Sequence, residues 1–151
     1  MKRIALITCC LLSFHLSCTD EYDNPVPSFP VYLYLDLTFE DKTLKTIGSY
    51  KEYTSQNINP ELGERAGFGG ILVVHTMLDE YKAFDRACPY EVQSNITVEI
   101  DDGGLHAVCP KCGTKYDVIG FGTGTPSEGV SKHRLRPYNT TLNGNKLIVK
   151  N

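Results

Sequence analysis

Ile96-Thr97-Val98-Glu99-Ile100 runs into Asp101-Asp102-Gly103-Gly104 and out again as Leu105-His106-Ala107-Val108-Cys109. Two apolar, strand-like arms about a turn-forming tetrapeptide predict a hairpin. The chemistry sits at its two ends. Ala87-Cys88-Pro89-Tyr90 precedes the first arm, and Cys109-Pro110-Lys111-Cys112-Gly113 begins where the second arm stops. Arms of about five residues each return Cys109 beside the loop that holds Cys88.

The flanking sequence repeats this habit. Val31, Leu33, Leu35, Leu37 and Phe39 alternate with Tyr32, Tyr34, Asp36 and Thr38, the period of a half-buried strand. Residues 41–69 show little periodicity, apart from a short strand at Tyr50 to Tyr53. Gly67-Phe68-Gly69-Gly70 then opens an apolar run, Ile71 to Leu78. Asp79-Glu80 turns it back as Tyr81 to Ala87. Asn143-Gly144, between Thr140-Thr141-Leu142 and Lys146-Leu147-Ile148-Val149, is a strong hairpin signal. Helical periodicity over roughly ten residues is missing beyond the N-terminal segment, so the expected class is all-β, a small antiparallel sandwich or barrel.

The N-terminus predicts export. Lys2 and Arg3 are followed by an apolar stretch from Ile4 to Leu16, then Ser17 and Cys18. This is the anatomy of a signal peptide over 1–17, and it resembles a lipoprotein signal with Cys18 as the lipidated residue. An ordinary signal peptide with an incidental cysteine is the alternative, and His15 departs from the lipoprotein pattern. Cys9 and Cys10 have too little apolar chain ahead of them. Residues 18–30, acidic at first and then carrying Pro25, Pro27 and Pro30, predict a flexible tether, leaving 31–151 as one domain. Acidic residues just behind a lipidated cysteine also resemble a surface-export signal of Gram-negative bacteria. The expected location is the cell envelope, lipid-anchored to the outer membrane. Without Lys2 and Arg3 the chain carries thirteen basic and eighteen acidic residues. That balance excludes nucleic acid as a partner and an electrostatic grip on anionic lipid. Three of the six cysteines, Cys88, Cys109 and Cys112, remain for the domain. An odd number outside the cytoplasm leaves one bridge plus a thiol, or a metal taking all three.

A hairpin that presents two metal-ligand loops side by side is similar to the Rieske family, over most of residues 70 to 150. The family carries Cys-x-His in its first loop and Cys-x-x-His in its second, then Gly, a hydroxyl residue and an aromatic before Asp. Cys88 and Cys109 match the family cysteines; Tyr90 and Cys112 stand where its histidines are. Thr114 and Tyr116 match positions whose hydroxyls bond to cluster sulfur or to a cysteine ligand. Gln93 and Lys111 fall near the positions of a disulfide that joins the loops in some members, so that bridge is missing. The glycine- and proline-bearing stretch Gly120 to Pro126 corresponds to the loop that lies over the cluster. The resemblance implies a [2Fe-2S] cluster and electron transfer, with metal ligands Cys88, Tyr90, Cys109 and Cys112. Exchanging imidazoles for thiolate and phenol removes what makes a Rieske centre high in potential and proton-coupled. A phenol, with its pKa near 10, must lose a proton before it ligates well.

Two other readings of the same residues stay open. Cys109-Pro110-Lys111-Cys112-Gly113 has the form of a zinc knuckle, with Cys88 a third ligand and the fourth unassigned. His106 points to the opposite strand face from Cys109, and His75 and His133 are remote. A metal-free domain with a disulfide from Cys88 to Cys109 or Cys112 makes this a structural or interaction lipoprotein. A thioredoxin-like pair is excluded because Gly113 to Ile119 reads as turn and strand, not helix. No nucleophile–base pair predicts standalone catalysis; in a redox reaction the chain carries electrons for an envelope or redox partner. The tyrosines at 32, 34, 50 and 53 suit either strand packing or a carbohydrate face. Lys132, Arg134 and Arg136 suit an exposed edge strand.

Overall fold

The computed structural model describes residues 23–151; the expected signal segment, Cys9, Cys10 and the expected lipidation site Cys18 lie outside the described residues. The described chain is all-β, with two single 3-10 turns at Lys42–Lys45 and Pro60–Leu62. Among the described residues no helix is long and apolar enough to cross a membrane.

Eleven strands form two antiparallel sheets: β1 (Val31–Asp36), β2 (Tyr50–Tyr53), β3 (Arg65–Ala66), β4 (Ile71–His75), β5 (Tyr81–Asp85), β6 (Glu99–Ile100), β7 (His106–Val108), β8 (Lys115–Asp117), β9 (Pro126–Glu128), β10 (Pro137–Asn143) and β11 (Lys146–Lys150). The larger sheet runs β2-β4-β5-β10-β11-β1-β3, the smaller β6-β7-β8-β9. The three expected hairpins are present as β4–β5, β6–β7 and β10–β11, the arms of the second shorter than the roughly five residues expected. In β1 the alternation sends Leu33 and Leu35 inward, paired with Val149 and Leu147, while Tyr32 and Tyr34 stay exposed.

Strand β4 explains how the two sheets join. All five of its residues are buried, which gives the continuous apolar run seen in its sequence. Successive side chains leave opposite faces of a strand. Ile71 and Val73 enter one core with Leu33, Leu35, Leu44 and Leu147. Leu72 and Val74 enter a second core with Phe84, Val98, Ala107, Tyr116 and Ile119. Cys88 and Cys109 belong to that second core. The cysteine loops are therefore built on the joint between the sheets, not on a peripheral turn.

Asp85, fully buried at the end of β5, fixes the route from strand to loop. Its carboxylate accepts from the N–H groups of Phe68, Gly69 and Ala87, at 3.0, 2.9 and 2.8 Å, and from the Tyr138 hydroxyl at 2.7 Å. A side chain on Gly69 would put its Cβ 2.6 Å from Ala87 N, so only glycine lets this loop lie against the chain leading to Cys88.

Three expectations change. The tether expected over 18–30 is held to the domain before it ends. Asn24 and Val26 are buried, Asn24 Nδ2 donates to Arg134 O at 2.9 Å, and Arg136 donates to Val26 O at 2.7 Å and to Asn24 O at 3.2 Å. Residues 132–136 are consequently not an edge strand: Leu135 is buried, and Arg136 serves the incoming chain. The loop that reaches the cysteine side is Gly129–Ser131, not Gly120 to Pro126. Gly122 lies against Thr76 and Lys82, and Gly124 against the Phe84 ring, whereas Gly129 packs on Thr114.

Candidate metal centre

The first loop leaves β5 through Ala87, which bridges to Thr97. Cys88 N donates to Ile96 O at 3.1 Å, and Val92 N donates back to Cys88 O at 2.9 Å, closing a tight turn over Pro89, Tyr90 and Glu91. The second loop leaves β7 and is closed twice: Gly113 N donates to Cys109 O at 2.9 Å, and Cys109 N to Thr114 O at 3.0 Å. Gly113 has φ 71°, the left-handed conformation that lets the chain turn without a Cβ clash.

These turns converge three sulfurs. Cys88, Cys109 and Cys112 are all free thiols, and their Sγ atoms lie within 4.8 Å of one another. The Cys88–Cys112 separation is 3.7 Å. Cys88 and Cys109 are buried and Cys112 is half-buried. Tyr90, the fourth residue implied by the resemblance, lies on the turn after Cys88 with its side chain 56% exposed. His106 stays on its own strand beside Asp101, His75 is buried between Leu44 O and Asp79, and neither joins the sulfurs.

Two hydroxyls lie against the sulfurs. Tyr116 OH is 3.5 Å from Cys88 Sγ, and Cys112 Sγ is 3.3 Å from Thr114 Oγ1. Thr114 Oγ1 also accepts from Val130 N and Ser131 N, each at 3.2 Å, so the Gly129–Ser131 loop holds it in position. A neutral Cys112 Sγ donates to Thr114 Oγ1, and an ionised one can only accept from it.

The environment separates the thiols. Burial pushes the Cys109 thiol up to about 12, against the backbone N–H groups of Cys112 and Lys111 that favour its thiolate. Burial acts on Cys112 in the same sense, but hydrogen bonds from the Thr114 side chain and backbone, and from the two other thiols, hold it below the ordinary value. Tyr116 is pushed up, first by burial and then by its bond to Cys88, so it stays a neutral donor.

One contact across the loop tips was not visible in the sequence. Lys111 Nζ lies 2.6 Å from Glu91 Oε2, joining the two cysteine loops. One charge follows the first motif and the opposite charge lies within the second, but only the register of β6 on β7, with Glu99 against Val108 and Ile100 against Ala107, brings them together.

Chemically, a set of three convergent thiolates with hydroxyl donors can hold a soft or borderline metal. No family model and no curated protein matches the chain. Among solved structures it is similar to a chain in the complex of reduced oxygenase and oxidized ferredoxin in carbazole 1,9a-dioxygenase. That match has 15% identity and a TM-score of 0.49, over 80% of this chain and 93% of the other. It is also similar to the ferredoxin of carbazole 1,9a-dioxygenase from Nocardioides aromaticivorans IC177. There the identity is 19% and the TM-score 0.45, over 81% of this chain and 97% of the other.

Proposed function

We propose that the chain is a Rieske-like iron–sulfur lipoprotein that carries electrons, with Cys88, Cys109 and Cys112 as thiolate ligands in place of the family's two cysteines and two histidines. The observation that carries this reading is the convergence of the three sulfurs at the ends of one hairpin, with Thr114 and Tyr116 hydroxyls against two of them. When bound, a [2Fe-2S] cluster supplies a one-electron couple. The chain's own residues do the rest. The turns fix the sulfurs, the Tyr116 and Thr114 hydroxyls would donate to ligating thiolates and stabilise their negative charge, and the second core excludes water from Cys88 and Cys109. The fourth ligand is assigned to Tyr90, which must turn in from its exposed position. Lipidation at Cys18 would tether the domain to the outer membrane, with an envelope redox protein as the electron partner.

One distance favours a second reading. Three sulfurs spread over no more than 4.8 Å also suit a single ion, since zinc–sulfur bonds of about 2.3 Å place tetrahedral ligands roughly 3.8 Å apart. In that case the site is a structural staple. Cys109→Ser separates the cluster reading from an empty domain. Loss of visible absorption with a lower melting temperature is the expected outcome; colour equal to the parent's would remove Cys109 from the ligand set.

A further inference from the structure

The sulfurs come from two loops, and their convergence depends on how those loops sit against each other. Behind the tips the loops share the short β6–β7 pairing. At the tips they meet through Glu91 and Lys111, 2.6 Å apart, one placed three residues after Cys88 and the other one residue before Cys112. The pair is lopsided: the Lys111 side chain is 54% exposed, but that of Glu91 only 10%. A carboxylate drawn that far from water is stable only with a fixed partner. The backbone next to it is also constrained. Val92 has φ 51°, a left-handed conformation that is an outlier for a β-branched residue. That strain accompanies the turn in which Val92 N donates to Cys88 O, so the same turn aims Glu91 toward the second loop and Cys88 toward the other sulfurs.

We propose that Glu91 and Lys111 are positioning residues, an ionic clasp that sets the distance between the two cysteine loops and so makes the three sulfurs act as one group. This rests on the three cysteines working together, but not on which metal they hold. Neither residue is a ligand. The clasp acts through Cys88 and Cys112, whose separation it controls.

Two readouts on the full-length protein, reduced and freed of metal, test it. The first is the rate at which diamide joins Cys88 to Cys112, mapped by peptide mass. Two thiols become one disulfide, and their two protons and two electrons pass to the diazene nitrogens of the reagent. The second is the affinity for Co(II), read from its thiolate absorption. Glu91→Gln and Lys111→Met are each expected to slow cross-linking several-fold and to weaken Co(II) binding. The charge-exchanged pair Glu91→Lys with Lys111→Glu should recover most of both. Lys111 is 54% exposed, so replacing it opens no cavity, and a circular-dichroism melt of each variant before cross-linking separates loss of the clasp from loss of the fold. Parent-like cross-linking in both single variants overturns the clasp, as does a charge-exchanged protein no faster than the singles. Should the parent bind no Co(II) while cross-linking follows the expected order, the metal reading falls and the clasp stands.

Discussion

Cys88 Sγ and Cys112 Sγ lie 3.7 Å apart, although one follows β5 and the other closes the knuckle after β7. Two layers of structure bring the loops to where the proposed Glu91–Lys111 clasp can hold that distance. The β6–β7 pairing returns the second loop to the first, and the two closed turns aim the sulfurs. Neither cysteine needs the other to be where it is, which makes the site a property of the fold.

The thiols of this group differ in reactivity. At pH 8, in reduced, metal-free protein, a small alkylating reagent should modify Cys112 first. It is half-buried and held below the ordinary thiol value by Thr114 and its thiol neighbours despite burial. Cys109, raised to about 12 by burial, should be last, because only the thiolate reacts. Time-resolved peptide mass spectrometry gives the order; Cys109 labelled ahead of Cys112 contradicts the assignment.

Asp85 should behave as a keystone. Its carboxylate accepts four hydrogen bonds in a buried site, and an amide offers one acceptor and introduces two donors against donors. Asp85→Asn is expected to cost roughly 2–4 kcal/mol. Urea unfolding measures it, and a loss below about 1 kcal/mol, the ordinary value of one hydrogen bond, contradicts the role.

Two glycines beside the site should differ. At Gly129, φ 107°, an added Cβ would lie 2.5 Å from Thr114 Cα; at Gly113, φ 71°, nothing lies within 4 Å. Gly113→Ala carries only the left-handed backbone penalty, about 1–2 kcal/mol. Gly129→Ala adds a backbone clash that displaces Thr114. It should therefore be the less stable variant in thermal melts and should lose the shift in Cys112 reactivity. Equal melting temperatures would contradict the packing.

If a cluster is bound, its potential should lie low. Rieske centres span about −150 to +300 mV because two imidazoles replace thiolates, and all-cysteine plant-type clusters lie near −400 mV. A set with a third thiolate moves toward the lower value and loses the imidazole whose protonation makes the potential pH-dependent. Protein-film voltammetry from pH 6 to 9 should give a nearly flat, negative potential. Tyr90→His with Cys112→His should raise it and restore a slope. Removing the Thr114 or Tyr116 hydroxyl, by Thr114→Val or Tyr116→Phe, should lower it further, since a ligating thiolate can only accept from the hydroxyl beside it.

The strands were legible where one face is buried. Alternation in Val31 to Leu37 and the Asn143-Gly144 turn specify β1 and the β10–β11 hairpin from local sequence alone. The cysteine group was legible for a similar reason: the hairpin arms are short and their lengths match. What escaped depends on contacts distant in sequence. Asn24 and Val26 read as a solvated stalk because proline and acidic residues surround them; their burial is decided by Arg136, more than a hundred positions away. Gly120–Pro126 and Gly129–Ser131 are both glycine-bearing loops, and only the pairing of Lys115 with Glu128 determines which of them reaches Thr114. Glu91 and Lys111 look like solvated charges until the two loops are superposed on one hairpin.

Cys88, Cys109 and Cys112 are proposed to hold an iron–sulfur centre. Iron, zinc and acid-labile sulfide counted per chain, on protein purified anaerobically, test it most directly. Two irons and two sulfides per chain, lost together in Cys109→Ser, are expected. One zinc without sulfide would contradict it and make the loops a structural staple, and folded protein with neither metal would contradict any metal role for the three cysteines.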